Sequence, residues 1–250
     1  MSAARGLILA APKSGSGKTI LTLGLLRHWA RSGIAVAPFK AGPDYIDAAY
    51  HAAAAGRACV NFDAWAMRAE SLDAGAAALA REAEIILGEG VMGLFDGAAG
   101  GGGSTADLAA HLDLPVVLVV DVRGQGASVA ALAEGFARYR ADVEVAAVIF
   151  NQVAGARHEQ ILRVALAPTG IPVLGALPRD AALALPARHL GLVQAQESED
   201  LQAFLNTAAD IVGRHVDGDA LRALGRPLSA PDTAPPSCLL QPLGRKIAVA

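Results

Sequence analysis

The residues best suited to chemistry lie near the start of the chain, in the run Ala11-Pro12-Lys13-Ser14-Gly15-Ser16-Gly17-Lys18-Thr19. This run follows an apolar stretch, 6–11, that reads as a strand. It opens a stretch, 18–31, in which Leu21, Leu25, Leu26 and Trp29 recur at helical spacing. Glycines at a strand-to-helix turn let successive backbone N–H groups face one anion, and the helix N-terminus adds partial positive charge. Lys13, Ser14, Gly15, Ser16, Gly17, Lys18 and Thr19 are therefore expected to surround the phosphates of a nucleotide. Lys18 would reach the terminal phosphates and the Thr19 hydroxyl would meet Mg²⁺. A glycine-rich turn without a ligand is the plainer alternative, and the Gly-Lys-Thr ending between strand and helix argues against it.

Carboxylates follow where a triphosphate and its cation need them. Asp44 and Asp47, in Gly42-Pro43-Asp44-Tyr45-Ile46-Asp47, come just after a second predicted strand, 34–39. Three residues apart, they share one side of a first helical turn. Acids there either satisfy free N–H groups or hold a metal, and the pair favours the second role. Glu89 ends the apolar strand 85–87 and joins Thr19 and Asp47 as an expected metal ligand. Asp96, ahead of Gly97 and the glycine run 100–103, joins Lys18, Asp44 and Asp47 as an expected catalytic group on a mobile loop. Asn151 ends a further strand, 145–150, where its amide suits either an adenine edge or a helix cap. ATP and Mg²⁺ are the cofactors this set implies.

Other polar residues carry less. His51, His111, His158 and His189 show no metal-ligand spacing and are expected to be structural or on the surface. Arg188 is a candidate for an anionic ligand. Ser128 has no partner base, and Cys59 and Cys238 are expected to be inert.

These residues need a scaffold that brings strand ends together. Of 250 residues, 53% are hydrophobic, only 4% aromatic and 18% charged, as expected for aliphatic strands buried under helices. That composition excludes general disorder, and a net charge of −3 argues against a general nucleic-acid binder. No apolar run approaches the roughly 18 residues of a membrane span. Residues 7–11 are too short for a signal-peptide core, so no membrane partner and a cytoplasmic location are expected. Strand-like segments at 6–11, 34–39, 85–87, 116–120, 145–150 and 173–177 alternate with helical ones at 18–31, 45–55 and 70–82. The fold class expected is α/β of the P-loop NTPase type, a mostly parallel sheet with helices on both faces. Its carboxyl edge would gather Glu89, Asp121, Asn151 and residues 178–180. Composition shifts after 214 towards a proline-rich stretch, read as a linker over 216–244.

The form Lys13-x-Gly15-x-Gly17-Lys18-Thr19 resembles the variant phosphate loop of partitioning ATPases, nitrogenase iron protein and dethiobiotin synthetase. Taken with 42–47, 61–65 (Asn-Phe-Asp-Ala-Trp), 89–97, 151–153 and 188–193, it occurs in an order similar to that of cobyrinic and hydrogenobyrinic acid a,c-diamide synthases. The chain departs from that pattern at Ala48 and Ala187, where proline and an acid are usual. The resemblance implies a dethiobiotin-synthetase-like ATP-binding amidoligase domain over 1–215, acting on a corrinoid. It also implies a truncated glutamine amidotransferase domain beginning at 245–250, ammonia from glutamine through that domain, and a homodimer. The activity implied is ATP-dependent amidation of the a and c acetate carboxylates through acyl phosphates. A partitioning-type ATPase and an amidoligase for another tetrapyrrole are the alternatives.

Overall fold

The computed structural model of the chain describes residues 4–183 and 201–228. In its first half the chain runs β1 (Arg5–Ala10), α1 (Lys18–Arg31), β2 (Val36–Ala41), α2 (Tyr45–Ala55), β3 (Val60–Phe62), α3 (Ala69–Glu82) and β4 (Ile85–Glu89). It continues through α4 (Thr105–His111), β5 (Val116–Asp121), α5 (Ser128–Arg138), β6 (Val145–Val153), α6 (Ala156–Leu166) and β7 (Val173–Pro178). Helices α7 (Leu201–His215) and α8 (Gly218–Leu224) and the short β8 (Arg226–Pro227) complete the described part.

The strands form one sheet in the order β3-β2-β4-β1-β5-β6-β7, parallel throughout, with β8 antiparallel to β1. From β1 the chain moves to one side for β2 to β4 and to the other for β5 to β7. A crevice therefore opens at the carboxyl end of β1, where the order reverses. Side chains along each strand alternate between two cores. Leu7 and Leu9 pack with Leu21, Leu25, Tyr50, Leu205 and Leu221 under α1, α2, α7 and α8. Ile8 and Ala10 pack with Leu72, Leu108, Val129 and Leu162 under α3 to α6. Burial on both faces is why the strands read as continuous apolar runs rather than as alternating ones. No helix among the described residues is long and apolar enough to cross a membrane.

The second strand starts two residues later than the periodicity predicts. The Ile34 N–H still closes α1 by donating to the Trp29 carbonyl, so pairing begins at Val36. The packed unit also extends past 215. Leu221 of α8 is fully buried against α1 and its neighbours. β8 pairs with Arg5 and Gly6, below Ile8, where β5 begins to pair with β1. Residues 216–228, expected as linker, thus belong to the domain, because Val216 and Leu221 bury apolar surface the composition obscured. The remainder of that stretch, the segment 245–250, Arg188, His189 and Cys238 lie outside the described residues.

Candidate functional site

The turn between β1 and α1 is built to leave backbone N–H groups facing outward. Gly15 and Gly17 take φ of 75° and 93°, the left-handed region that favours glycine. Gly17 caps α1 without a side-chain hydrogen bond, so the first N–H groups of the helix have no side-chain partner there. Lys13, Ser14 and Gly15 are exposed, while Ser16 is buried and its hydroxyl donates to the Lys13 carbonyl at 2.9 Å. Asn151, two residues before the end of β6, donates its Nδ2 to the Ser16 carbonyl at 2.9 Å. Any Cβ at position 17 would collide with that same amide. The contact observed for Asn151 is therefore with the loop backbone.

Lys18 is buried and donates to the Met92 carbonyl at 2.5 Å. Met92 holds a φ of 48°, rare for a side-chain-bearing residue, and lines the same cleft as the loop. Burial pushes the Lys18 pKa down and the nearby Lys40 adds to this, against the pull of Glu89.

The acids meet Thr19 on the α1 side of the sheet. Lys40 and Glu89 are register partners on β2 and β4 and point to the same face. The Thr19 hydroxyl donates to Glu89 Oε1 at 2.8 Å and lies 3.4 Å from Asp47 Oδ2. Lys40 Nζ donates to Asp47 Oδ2 at 2.8 Å and Glu89 Oε1 at 2.9 Å, with Asp44 Oδ2 at 3.9 Å. Asp44 does the first of the jobs its spacing allowed, satisfying free N–H groups. Its Oδ1 accepts from the Ile46 and Asp47 N–H groups, capping α2, while its Oδ2 faces Lys40. Ser14, Lys18, Thr19, Lys40, Asp47 and Glu89 line one cleft of about 400 Å³.

Electrostatics keep Glu89 and Lys40 ionised. Burial opposes the charges on Glu89 and Lys40, but their mutual attraction outweighs it, aided by His51 for Glu89 and by Asp47 for Lys40. Glu89 is thus held well below the ordinary carboxylate range and Lys40 above the ordinary lysine value. His51 Nε2 lies 2.7 Å from Glu89 Oε2. Burial, with Glu89 nearby, pushes the Cys59 thiol up to about 12, so it stays protonated. At the end of β5, Arg123 engages both oxygens of Asp121, which does not line this cleft.

Thr19, Asp47 and Glu89 offer only hard oxygen donors, a set suited to Mg²⁺. Among the described residues no group of three or more His, Cys, Asp or Glu side chains is placed to hold a metal alone.

Asp96 sits beside this cleft, exposed, with Oδ2 accepting from the Gly93 N–H at 2.9 Å. Its contact organises the turn that carries Met92, and its charge reaches Lys18. Two residues of the cluster escape sequence reasoning. Lys40 lies within an apolar strand and His51 within an alanine-rich helix, and neither has a motif of its own. The signal available for Lys40 was a lysine inside a fully buried strand, which needs an acid partner.

This fold and this loop define a nucleotide-binding domain of the P-loop class. Residues 7–193 match the CbiA family, the CobQ/CobB/MinD/ParA nucleotide binding domain, and the chain belongs to that family. The chain is 55% identical over 247 residues to hydrogenobyrinate a,c-diamide synthase of Brucella ovis, covering 98% of this chain and 57% of that protein. It is 54% identical over 245 residues to the protein of the same name from Rhizobium meliloti, covering 98% of this chain and 56% of that one. The chain thus spans somewhat more than half the length of the curated relatives it matches. Among solved structures, chloroplast FtsY from Physcomitrella patens matches with a TM-score of 0.54 at 17% identity, over 83% of this chain and 66% of that one. Signal Recognition Particle 54 kDa protein from Aeropyrum pernix in complex with GDP matches at 0.51 and 21%, over 83% and 49%. These two share the fold.

Proposed function

We propose that this chain is the ATP-dependent amide-ligase part of a cobyrinate or hydrogenobyrinate a,c-diamide synthase. The observation that carries the proposal is the single cleft in which the phosphate loop, Lys18 and Thr19 face Asp44, Asp47, Glu89 and Lys40. The names of the relatives support the corrinoid substrate.

A carboxylate is a poor electrophile and must be activated before nitrogen attacks it. An acetate oxygen of the substrate attacks the γ-phosphorus of ATP, and the bond to the ADP oxygen breaks. Ammonia then attacks the acyl phosphate carbon, phosphate leaves, and a proton is lost to give the amide. Lys18 and the loop N–H groups stabilise charge on the transferring phosphoryl group. Thr19, Asp47 and Glu89 would hold Mg²⁺, which neutralises phosphate charge when bound. Lys40 holds Asp47 and Glu89 together by lying between them. Asp44 and Asp96 accept from the incoming ammonia and orient it at the rim. Trp65, exposed at the rim of the glycine loop beside Gly103, offers an aromatic face to the macrocycle. Ammonia comes from glutamine through an amidotransferase domain, and the working unit is a homodimer.

The test is direct. The protein is given ATP, Mg²⁺, an ammonium salt and, in turn, hydrogenobyrinic acid, cobyrinic acid and a nickel tetrapyrrole, and the products are separated by mass and charge. Two amides on one of the corrins are expected. ATP hydrolysis with no amide on any of them, together with ATP-driven dimerisation on lipid or DNA, would move the assignment to the partitioning ATPases.

A further inference from the structure

We propose that His51 is a positioning residue for Glu89, holding one carboxylate oxygen so that the other is presented to the cation side of the cleft. The inference rests on Glu89 being a cation ligand, as proposed above. His51 is fully buried and its Nε2 lies 2.7 Å from Glu89 Oε2. The opposite oxygen, Oε1, takes the Thr19 hydroxyl and Lys40. An ionised carboxylate only accepts, so Nε2 carries the hydrogen. On the other side of the ring, Nδ1 lies 3.9 Å from Cys59 Sγ, whose thiol also reaches the Val60 carbonyl at 3.8 Å. Full burial and the Nε2 contact hold the ring in one orientation.

The geometry follows from α2. Its cap, Asp44, sets where the helix begins, and Asp47 and His51 fall four residues apart on one face. One helix face thus delivers an acid to the cleft and, a turn later, a donor to the back of Glu89. Without that donor, Glu89 is held only through Oε1, by the Thr19 hydroxyl and Lys40, and its second oxygen is left unsatisfied in the core. Residues that hydrogen-bond to metal-ligating carboxylates generally matter to metal affinity nearly as much as the ligands do.

The experiment measures Mn²⁺ affinity in the presence of a non-hydrolysable ATP analogue, by electron paramagnetic resonance, on wild type, Glu89→Gln, His51→Leu and His51→Gln. Leucine fills the space without a donor, and glutamine restores an N–H. His51→Leu is expected to weaken Mn²⁺ binding by about 10–100-fold, with His51→Gln recovering most of the loss. Circular dichroism establishes that each variant is folded. A folded His51→Leu with wild-type affinity, alongside a weakened Glu89→Gln, overturns the positioning role and leaves the ligand role standing. Wild-type affinity in Glu89→Gln overturns the ligand role itself. If leucine prevents folding, ¹⁵N-histidine spectra of the wild type decide the matter. A slowly exchanging Nε2–H is expected, and an unprotonated Nε2 overturns the proposal.

Discussion

Lys40 and Glu89 are register partners on adjacent parallel strands, and the ammonium of one lies 2.9 Å from the carboxylate of the other. Side-chain exposures of 3% and 1% put this ion pair inside the protein, at the floor of the nucleotide cleft. Removing one partner of such a pair leaves an uncompensated buried charge. Lys40→Met is therefore expected to cost about 3–5 kcal/mol in urea unfolding at neutral pH. Lys40→Met combined with Glu89→Gln should cost less than the two single changes summed. A single variant as stable as wild type would contradict the pairing.

The pair also has a pH signature. Glu89 is lowered from its ordinary value of 4.5, so its contribution is complete above 4.5 and is lost as pH falls through the lowered value. Lys40 is raised from 10.5, so its contribution is complete below 10.5 and is lost as pH climbs beyond it. The stability difference between wild type and Glu89→Gln should therefore stay flat between 4.5 and 10.5 and shrink on the acid side. Denaturant titrations across that range measure it. A difference that changed steeply near neutrality would point to another group.

Lys18→Ala tests the phosphate loop without glutamine chemistry. With ammonium as nitrogen source, kcat is expected to fall by about 10²–10³-fold or more, because one preorganised donor to the transferring phosphoryl group is lost. Near-normal turnover would remove the loop from the mechanism.

Asn151 separates loop support from base recognition. Asn151→Ala deletes the hydrogen bond to the Ser16 carbonyl and is expected to weaken binding by about threefold to tenfold. Calorimetry with ATP, GTP and inorganic tripolyphosphate should show the same factor for all three. A loss confined to ATP would instead make the amide a reader of adenine. Gly17→Ala should weaken binding more than Asn151→Ala, since alanine is strained at a φ of 93° and also meets the Asn151 amide.

Trp65→Ala is expected to raise KM for the corrinoid by about threefold to tenfold, the worth of one aromatic contact, while KM for ATP stays unchanged. A change in both would place Trp65 with the nucleotide rather than at the macrocycle rim.

The turn between β1 and α1 was legible because Gly15, Gly17, Lys18 and Thr19 are neighbours in the chain, and its shape follows from local backbone geometry. The parallel sheet was legible for a similar reason, since strands buried on both faces must be continuously apolar. Asp44 and Asp47 were legible as a pair because a helix start fixes their spacing. What tertiary structure alone decided is which distant residues meet. Strand order places β4 between β1 and β2, and register then sets Lys40 against Glu89. The packing of α2 beside them brings His51 to the far oxygen of that carboxylate, and β6 brings Asn151 under Gly17. Those partners are separated by 38 to 135 residues, and only pairing across the sheet, which no local periodicity encodes, determines that they touch.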